Sequence, residues 1–271
     1  MGIEQERGKA PTAEVPPPGG SILAGRRALV VGGSGGIGRG VARALAARGA
    51  ELLLLGGRDG KKLEALLGEC ADMGGRASGR LLDLEDEGLF DLDSLETMLG
   101  PHLRFDILVC AFGPFLQRPL AETSPADWRR LSLLNLALPG AFASLILPGM
   151  IEGGWGRMVF FGGTGTDTIK ASKTNAAYAA AKTGLGVLSK SIALQHSGDG
   201  VASFVVCPGL VDTEYLAPEA KATLAALSPG GRLLDPLDFG ETLVALAAAE
   251  PCLVSGAVLA MDAGLAFARG A

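Results

Sequence analysis

Short apolar runs recur along this chain, and the spacing between them leaves room for one helix after each run. The runs are, in order, Arg26–Val31, Leu52–Leu55, Ala77–Leu82, Ile107–Cys110, Met158–Phe161, Ala202–Val206 and Ala257–Met261. Their hydrophobicity is largely continuous rather than alternating, which is typical of strands buried on both faces of a sheet. The pattern therefore predicts a buried parallel sheet of seven strands.

Helix-forming stretches fill the intervals between these runs. They lie near residues 37–48, 60–73, 91–99, 125–149, 174–196 and 236–249. Because connections between parallel strands are right-handed, helices of this kind cover both faces of the sheet. We expect an α/β chain with one single-domain, doubly wound (Rossmann) fold, in which a seven-stranded parallel sheet is flanked by helices.

The first part of the chain differs in composition from the rest. Residues 1–24 contain three consecutive prolines at 16–18, a glycine pair after them and few apolar side chains. This composition predicts a flexible tail that contributes little to a core. The folded domain is expected to comprise residues 25–271.

Composition narrows the class of protein. Of the 271 residues 48% are hydrophobic and 20% are charged, which excludes a disordered chain. The net charge of −5 argues against nucleic acid or an anionic membrane as a partner. The N-terminus has no apolar signal region, and we find no run of about 18 apolar residues for a membrane span. We therefore expect a soluble, cytoplasmic protein without a membrane partner.

The cysteines favour neither a disulfide scaffold nor a metal site. They are widely separated, with no Cys-x-x-Cys pair and no histidine nearby: Cys70, Cys110, Cys207 and Cys252. This spacing is typical of reduced thiols in a cytoplasmic protein. No metal ligands are predicted.

A glycine-rich turn directly follows the first strand and leads into the first helix. It reads Gly32-Gly33-Ser34-Gly35-Gly36-Ile37-Gly38. Glycines allow a tight turn and let backbone N–H groups approach a diphosphate, and the helix N-terminus adds a partial positive charge. The turn predicts a dinucleotide site that uses Gly32, Ser34, Gly36, Ile37 and Gly38.

The end of the second strand indicates which dinucleotide is bound. An acidic residue there would bind the adenine-ribose 2′-hydroxyl of NAD, but this strand is followed by Arg58. Either Arg58 or Arg39 could pair with the 2′-phosphate of NADP, so NADP(H) is the predicted cofactor. Asp59 could contact the ribose instead, although capping the next helix is the favoured role.

One helix pairs a tyrosine with a lysine. Tyr178 and Lys182 are four residues apart within an alanine-rich stretch, so both side chains project from the same helix face. An ammonium held close to a phenol would lower the pKa of the phenol toward values useful for proton transfer. Taken alone, this pair also occurs by chance.

Taken together, these features resemble the short-chain dehydrogenase/reductase family over residues 26–265. The features that carry the resemblance stand in the family's order: the glycine turn at 32–38, Asp83-Leu84, Asn135, Tyr178-x-x-x-Lys182, Pro208-Gly209 and Asp262-x-Gly264. The resemblance implies a homo-oligomer, a tetramer or a dimer, formed by the two longest helices and the C-terminal region.

The resemblance implies a role for each catalytic residue. Tyr178 matches the general acid/base, and Lys182 matches the residue that binds the nicotinamide-ribose hydroxyls and lowers the pKa of the tyrosine. Asn135 matches the asparagine that holds a water molecule in a proton relay. The alternative for Asn135 is an amide satisfied by its own helix backbone.

The resemblance also implies further cofactor contacts. Asp83 matches the carboxylate that binds the adenine amino group, with the backbone of Leu84 beside it. A surface acid in an acidic stretch is the alternative for Asp83. The turn that cradles the nicotinamide carboxamide is matched by Pro208, Gly209, Val211 and Thr213.

Two segments depart from the family pattern. The usual Asn-Asn-Ala-Gly is replaced by Cys110-Ala111-Phe112-Gly113, in which the backbone of Ala111, Phe112 and Gly113 would still line the cofactor site. Phe112 is expected to narrow that site, and Cys110 to act as a small buried hydrophobe.

The second departure concerns the serine that binds the substrate carbonyl in the family. Counting back from the tyrosine points to Gly165, and alignment by the fifth strand points to Gly163. We predict that Thr164 supplies the hydroxyl, with Thr166 as the alternative.

Two functions from different classes remain open. The first is an NADP(H)-dependent oxidoreductase that interconverts a ketone or aldehyde and an alcohol, with 3-oxoacyl thioesters as one candidate substrate class and an apolar substrate-covering loop at 214–235. The alternative is a catalytically impaired NADP(H)-binding protein of the same fold that acts as a sensor or scaffold.

Overall fold

The computed structural model describes residues 21–83, 92–100 and 104–268, which form a seven-stranded sheet. The strands are β1 Arg27–Val31, β2 Glu51–Gly56, β3 Arg76–Leu81, β4 Ile107–Cys110, β5 Gly156–Phe161, β6 Val201–Pro208 and β7 Val258–Met261. All neighbours are parallel, in the order β3-β2-β1-β4-β5-β6-β7. Successive strands are added toward one edge of the sheet from β1 to β3 and toward the other edge from β4 to β7. The point where this order switches, between β1 and β4, is where open α/β sheets bind their ligands.

Nine α-helices lie within the described residues and flank this sheet. They are α1 Gly36–Ala47, α2 Gly60–Asp72, α3 Leu92–Leu99, α4 Pro125–Ser132, α5 Leu138–Glu152, α6 Ala176–His196, α7 Pro218–Ala226, α8 Pro236–Ala248 and α9 Leu265–Ala268. A π-helical turn at Leu133–Ala137 joins α4 to α5. Every strand and helix of the sequence prediction is present, and the doubly wound fold is confirmed.

Two hydrophobic cores lie on opposite faces of the sheet. On one face, α1, α2 and α8 contribute buried side chains such as Leu45, Leu66 and Val244. On the other face, α3, α5 and α6 contribute Leu95, Phe142 and Leu185 among others. Burial on both faces explains why the central strands β1, β4, β5 and β6 are almost continuously apolar.

The helix that follows the glycine turn is clamped against α8. A Cβ on Gly40 of α1 would overlap the carbonyl oxygen of Pro236, and a Cβ on Gly240 would lie 2.6 Å from the carbonyl carbon of Gly40. Two glycines facing each other thus allow the two backbones to touch. This contact fixes the axis of α1 and therefore the direction of its N-terminus.

The helical run from α4 through α5 is unusually apolar. It spans Pro125–Glu152, 28 residues with a mean hydropathy of 1.7 in its most apolar window, which by length and composition alone could cross a membrane. No membrane span was predicted from the sequence. In the structure 44% of that window is buried, and Phe142, Ile146 and Met150 pack in the second core. Core helices of soluble proteins pass the same test of length and composition, so the run is weak evidence for a membrane span.

The predicted tail at 1–24 is described only from residue 21 onward. Leu23 is buried in the first core, and its backbone N–H donates to the carbonyl of Arg48. The residues at 21–24 therefore belong to the folded domain, which begins earlier than residue 25 because Leu23 fills a gap beside α1.

Candidate active site

A cleft of about 710 Å³ opens at the carboxyl ends of β1 and β4. Its lining is Gly32, Ser34, Gly35, Gly36, Ile37, Gly57, Ala111, Phe112, Gly113, Pro114, Phe115, Tyr178, Gly209, Leu210, Val211, Thr213, Tyr215 and Leu216. Most of the predicted cofactor residues are among them. Phe115 was not among the predicted residues, although it follows the fourth strand.

The glycine turn forms one end of the cleft. Gly32 has φ 81°, and a Cβ there would lie 2.9 Å from the backbone nitrogen of Phe112. Only glycine therefore allows the ends of β1 and β4 to approach this closely. Gly38 does not line the cleft, because it packs α1 against the carbonyl oxygen of Gly32. The turn directs the N-terminus of α1 into the cleft, as a diphosphate site requires.

An acidic side chain occupies this helix N-terminus. Glu214 accepts a hydrogen bond from the backbone N–H of Gly36 at 3.0 Å, and Lys62 lies 3.5 Å from its other carboxylate oxygen. Burial pushes the pKa of Glu214 upward, but backbone hydrogen bonds and Lys62 outweigh it and hold that pKa below its ordinary value. Sequence reasoning gave no signal for this contact, because the partners are 178 residues apart.

Tyr178 lies at the opposite end of the cleft, in the first turn of α6. The ring of Phe115 packs edge-on against it, with centroids 5.0 Å apart and planes at 83°. Burial, and to a smaller extent the thiol of Cys207, raises the pKa of Tyr178 to about 12. At neutral pH the phenol is therefore a proton donor.

Lys182 lies one helical turn further on and is 4% exposed. Its ammonium lies 5.9 Å from the centroid of the Tyr178 ring and 3.5 Å from the carbonyl oxygen of Phe112. Burial lowers the pKa of Lys182 to about 8. The expected lowering of the tyrosine pKa by the lysine is therefore wrong for the protein alone, since burial dominates both groups.

Asn135 joins the same group from the π-helical turn, a feature frequent at functional sites. It is fully buried, and its Nδ2 donates to the carbonyl of Pro114 at 3.1 Å. Its Oδ1 has no partner in the described part of the chain. A Cβ on Gly113 would overlap this Oδ1 and lie 2.6 Å from the Lys182 ammonium, so both polar atoms face the same glycine. An orphaned buried acceptor next to an ammonium suits a bound water molecule.

The three residues Asn135, Tyr178 and Lys182 thus lie together at one end of the cleft. The model of the short chain dehydrogenase family matches residues 26–223. This chain belongs to the short-chain dehydrogenase family.

Relatives of this short-chain dehydrogenase are similar along most of their length. The chain is 32% identical to cis-4-hydroxycyclohexanecarboxylate dehydrogenase of Sinomonas cyclohexanicum, over 90% of this chain and 98% of the relative. It is 30% identical to the 3-oxoacyl-(acyl-carrier-protein) reductase FabG of Haemophilus influenzae, over 90% and 99%. A solved structure from Beutenbergia cavernae, assigned as an NAD(P)-dependent gluconate 5-dehydrogenase with bound NADP at low occupancy, has a TM-score of 0.79 and 31% identity, over 90% and 98%.

The segment after β5 shows how this short-chain dehydrogenase departs from the family serine. A Cβ on Gly163 would lie 2.7 Å from Cε1 and 3.0 Å from the hydroxyl of Tyr178. Gly163, which carries no side chain, is therefore the residue that faces the phenol. Its backbone supports the tyrosine ring.

The hydroxyl groups of the two threonines that follow Gly163 form hydrogen bonds to backbone groups. Thr164 is exposed and its hydroxyl donates to the carbonyl of Pro208 at 2.9 Å. Thr166 is buried, and its hydroxyl accepts from the Gly163 N–H at 2.8 Å and donates to the Gly163 carbonyl at 3.0 Å. Thr166 thus fixes the turn on which Tyr178 rests. The role assigned to Thr164 stays a prediction.

The cations predicted for the adenosine end of the cofactor are paired with acids. Arg58 makes two hydrogen bonds to the carboxylate of Asp83, at 2.9 and 3.0 Å. Arg39 is hydrogen-bonded to Glu69, which raises the pKa of Arg39. Both pairs are exposed, so a phosphate could compete with each carboxylate at modest cost.

The remaining predicted cofactor residues fall into three groups. Gly209, Val211 and Thr213 line the cleft, and Pro208 ends β6 beside it. Leu84 lies outside the described residues. Asp59 caps α2 by accepting from the N–H groups of Lys61 and Lys62, which agrees with its favoured role.

Proposed function

We propose that this short-chain dehydrogenase is an NADP(H)-dependent oxidoreductase that interconverts a ketone or aldehyde and an alcohol. The observation that carries the proposal is the convergence of Tyr178, Lys182 and Asn135 at one end of the cleft, opposite a glycine turn. The Haemophilus influenzae relative is named for reduction of a ketone, which supports the same reaction class.

The residues of the cleft fit a nicotinamide dinucleotide. The glycine turn and the N-terminus of α1 suit a diphosphate, and the backbone at 111–113 and at 209–213 lines the space beyond it. When bound, the nicotinamide would supply or accept the hydride. The protein's own side chains would transfer the proton and position the cofactor.

The proton is handled by Tyr178 in this proposal. Its raised pKa, about 12, keeps the phenol protonated at neutral pH, so that it can protonate the oxygen of a carbonyl under reduction. Lys182 would bind the ribose hydroxyls and restrain the charge that develops on the phenol. Asn135 would hold a water molecule on its free Oδ1 and connect the site to solvent.

Two arginines support a preference for NADP over NAD, and Arg58 follows β2 where an acidic residue would favour NAD. Arg58 follows β2 and Arg39 lies in the first turn of α1, and in this proposal either would exchange its carboxylate partner for the 2′-phosphate. The related structure from Beutenbergia cavernae carries NADP, which supports the same choice.

The substrate class we propose is a 3-oxoacyl thioester or a related keto acid. A second cavity of about 290 Å³ adjoins Tyr178; half of its lining residues carry a hydroxyl group, and Lys170 and Lys173 also line it. These cations suit an acidic or phosphorylated substrate.

The test is NADPH oxidation with a panel of ketones that includes 3-oxoacyl thioesters. We expect Tyr178→Phe to lower kcat by roughly 100-fold or more while leaving the Kd for NADPH almost unchanged. Thr97→Ala, which removes an exposed hydroxyl on α3 outside both cavities, is the control and should leave kcat unchanged. Equal kcat in the wild type and in Tyr178→Phe would refute the catalytic role.

A second candidate function rests on Gly163. Without a hydroxyl facing Tyr178, the site has one side-chain donor fewer for a developing oxyanion. This favours an NADP(H)-binding sensor or scaffold of the same fold. Tight NADPH binding without turnover of any carbonyl would select it.

We also propose that the protein is a cytoplasmic homo-oligomer without nucleic-acid or membrane partners. Val187 and Leu194 of α6 are 70% and 86% exposed, an unusual state for large apolar side chains on a long helix. Burial against a second copy of the helix would remove both from water.

A further inference from the structure

The N-terminus of α1 is already bound by the protein's own carboxylate. Glu214 lies in the segment between β6 and α7, and its Oε2 accepts from the Gly36 N–H at 3.0 Å. In the proposed function this N–H would donate a hydrogen bond to the diphosphate of the cofactor. One N–H group cannot serve both anions in this geometry.

The neighbouring tyrosine covers the same turn. A Cβ on Gly35 would overlap the hydroxyl of Tyr215, and a Cβ on Gly36 would lie 3.1 Å from its ring. The ring therefore lies directly on the glycine turn while most of its other face is exposed. We call Glu214 and Tyr215 together the latch.

A lysine from the second helix fixes the latch in place. The Lys62 ammonium lies 3.5 Å from Oε1 of Glu214 and 5.1 Å from the centroid of the Tyr215 ring. Charge pairing, a backbone hydrogen bond and a cation–π contact thus act on two adjacent residues. Nothing in the catalytic group at Tyr178 depends on these contacts.

We propose that the latch is an autoinhibitory contact, in which Glu214 competes with the cofactor diphosphate for the N-terminus of α1. This inference rests on the dinucleotide binding of the proposed function. Cofactor binding must release the latch, and the release moves the chain that leads into α7. Thr213 and Leu216 on either side of the latch line the cleft, so occupancy of the diphosphate site is coupled to the shape of the cleft.

The first experiment compares cofactor affinity in Glu214→Ala, Glu214→Gln and Glu219→Ala. Glu219 is an exposed acid in the first turn of α7, so its removal changes the net charge equally without touching the glycine turn. We expect the Kd for NADPH, measured by fluorescence titration, to fall about fivefold in Glu214→Ala. Glu214→Gln should give a smaller decrease, and Glu219→Ala none.

The second experiment examines the contact without cofactor. Amide hydrogen exchange at Gly36 should be faster in Glu214→Ala than in the wild type, while exchange in β1 and β4 stays unchanged. Unchanged β-strand protection also shows that the variant is folded. Equal exchange at Gly36 in both proteins would overturn the latch.

The outcomes separate this inference from the proposed function. If the wild type binds NADPH and Glu214→Ala binds it with the same Kd, the latch is refuted and the oxidoreductase stands. If Glu214→Ala binds NADPH and the wild type does not, the latch is supported, because the wild-type contact then blocks cofactor binding completely. Failure of the wild type and of every variant to bind NADPH or NADH refutes the proposed function, and the inference with it.

Discussion

At the residue scale, Lys182 destabilises the fold because its charged ammonium is buried. Its ammonium is buried, and the hydrogen bond that the structure records for it is a long one, 3.5 Å to a backbone carbonyl. Burial lowers the pKa of Lys182 from 10.5 to about 8, so the charged form is disfavoured in the native state. A destabilising buried charge of this kind is common where a side chain serves function rather than stability.

We predict that Lys182→Met stabilises the protein at pH 7 by up to about 3 kcal/mol, because the native state no longer buries a charge. Below about pH 8 both states of the wild type are protonated and this cost is fully present. Between about pH 8 and 10.5 the native state loses the proton and the unfolded state keeps it, so wild-type stability rises. The difference between the two proteins should therefore shrink by pH 10.

Urea unfolding of both proteins at pH 7 and pH 10 measures this difference. Lys190→Met, an exposed lysine on the same helix, is the control and should change stability by less than about 0.5 kcal/mol. A Lys182→Met protein that is less stable than the wild type at pH 7 would contradict the prediction.

The turn at Gly163 leads to a second prediction at this scale. Thr166→Ala should lower kcat by roughly tenfold, because the turn beneath the Tyr178 ring loses both side-chain hydrogen bonds. Thr166→Ser should retain activity, since it keeps the hydroxyl. Thr164→Ala should change kcat less than about threefold, because that hydroxyl is directed at Pro208. Steady-state kinetics measure kcat for the three variants. A large loss of kcat in Thr164→Ala would instead support Thr164 as the donor to the substrate carbonyl.

The residues of the site were predictable to different degrees. Tyr178, Lys182 and Asn135 carry chemistry in their side chains at recognisable spacing, and the structure brings them together as expected. The contact between Gly163 and Tyr178 was not predictable, because it depends on how closely a backbone approaches a ring. The latch was hidden for a similar reason, since no local pattern connects Glu214 to a turn far away in sequence.

At the element scale, prediction succeeded because most strands are short apolar runs and each long helix is a helix-forming stretch between two such runs. The short helix α9 has four residues and shows too little pattern to be recognised. Helix α7 lies inside the predicted loop at 214–235, an alanine-rich segment, and none of its residues is buried.

The contact between α1 and α8 gives a prediction at this scale. Gly40→Ala should destabilise the protein by about 2–3 kcal/mol, because the added methyl overlaps the carbonyl of Pro236 and forces the helices apart. The shift would also weaken NADPH binding by moving the N-terminus of α1. Thermal unfolding and NADPH titration measure the two effects.

Gly68→Ala is the matched control for that substitution. Gly68 is exposed on α2 and has no atom within 4 Å of its Cβ position, so alanine should stabilise the helix by up to about 1 kcal/mol. Equal effects of the two substitutions would show that the helix contact is looser than the structure indicates.

At the scale of the whole molecule, the proposed oligomer is tested through α6. We predict that Val187→Asp with Leu194→Asp yields a smaller species in sedimentation experiments, because charges would be buried in the interface. Ile169→Asp is the control, at a position 93% exposed but outside the helices, and should leave the mass unchanged. A monomeric wild type would contradict the proposal directly.

The apolar run of α4 and α5 has a consequence for synthesis on the ribosome. This run leaves the exit tunnel before β5, α6 and β6, whose side chains share the second core with it. At roughly 5–20 residues per second, the nascent chain presents that uncovered surface for several seconds. During this interval Phe142, Ile146 and Met150 lack the core partners from β5, α6 and β6 that cover them in the folded protein.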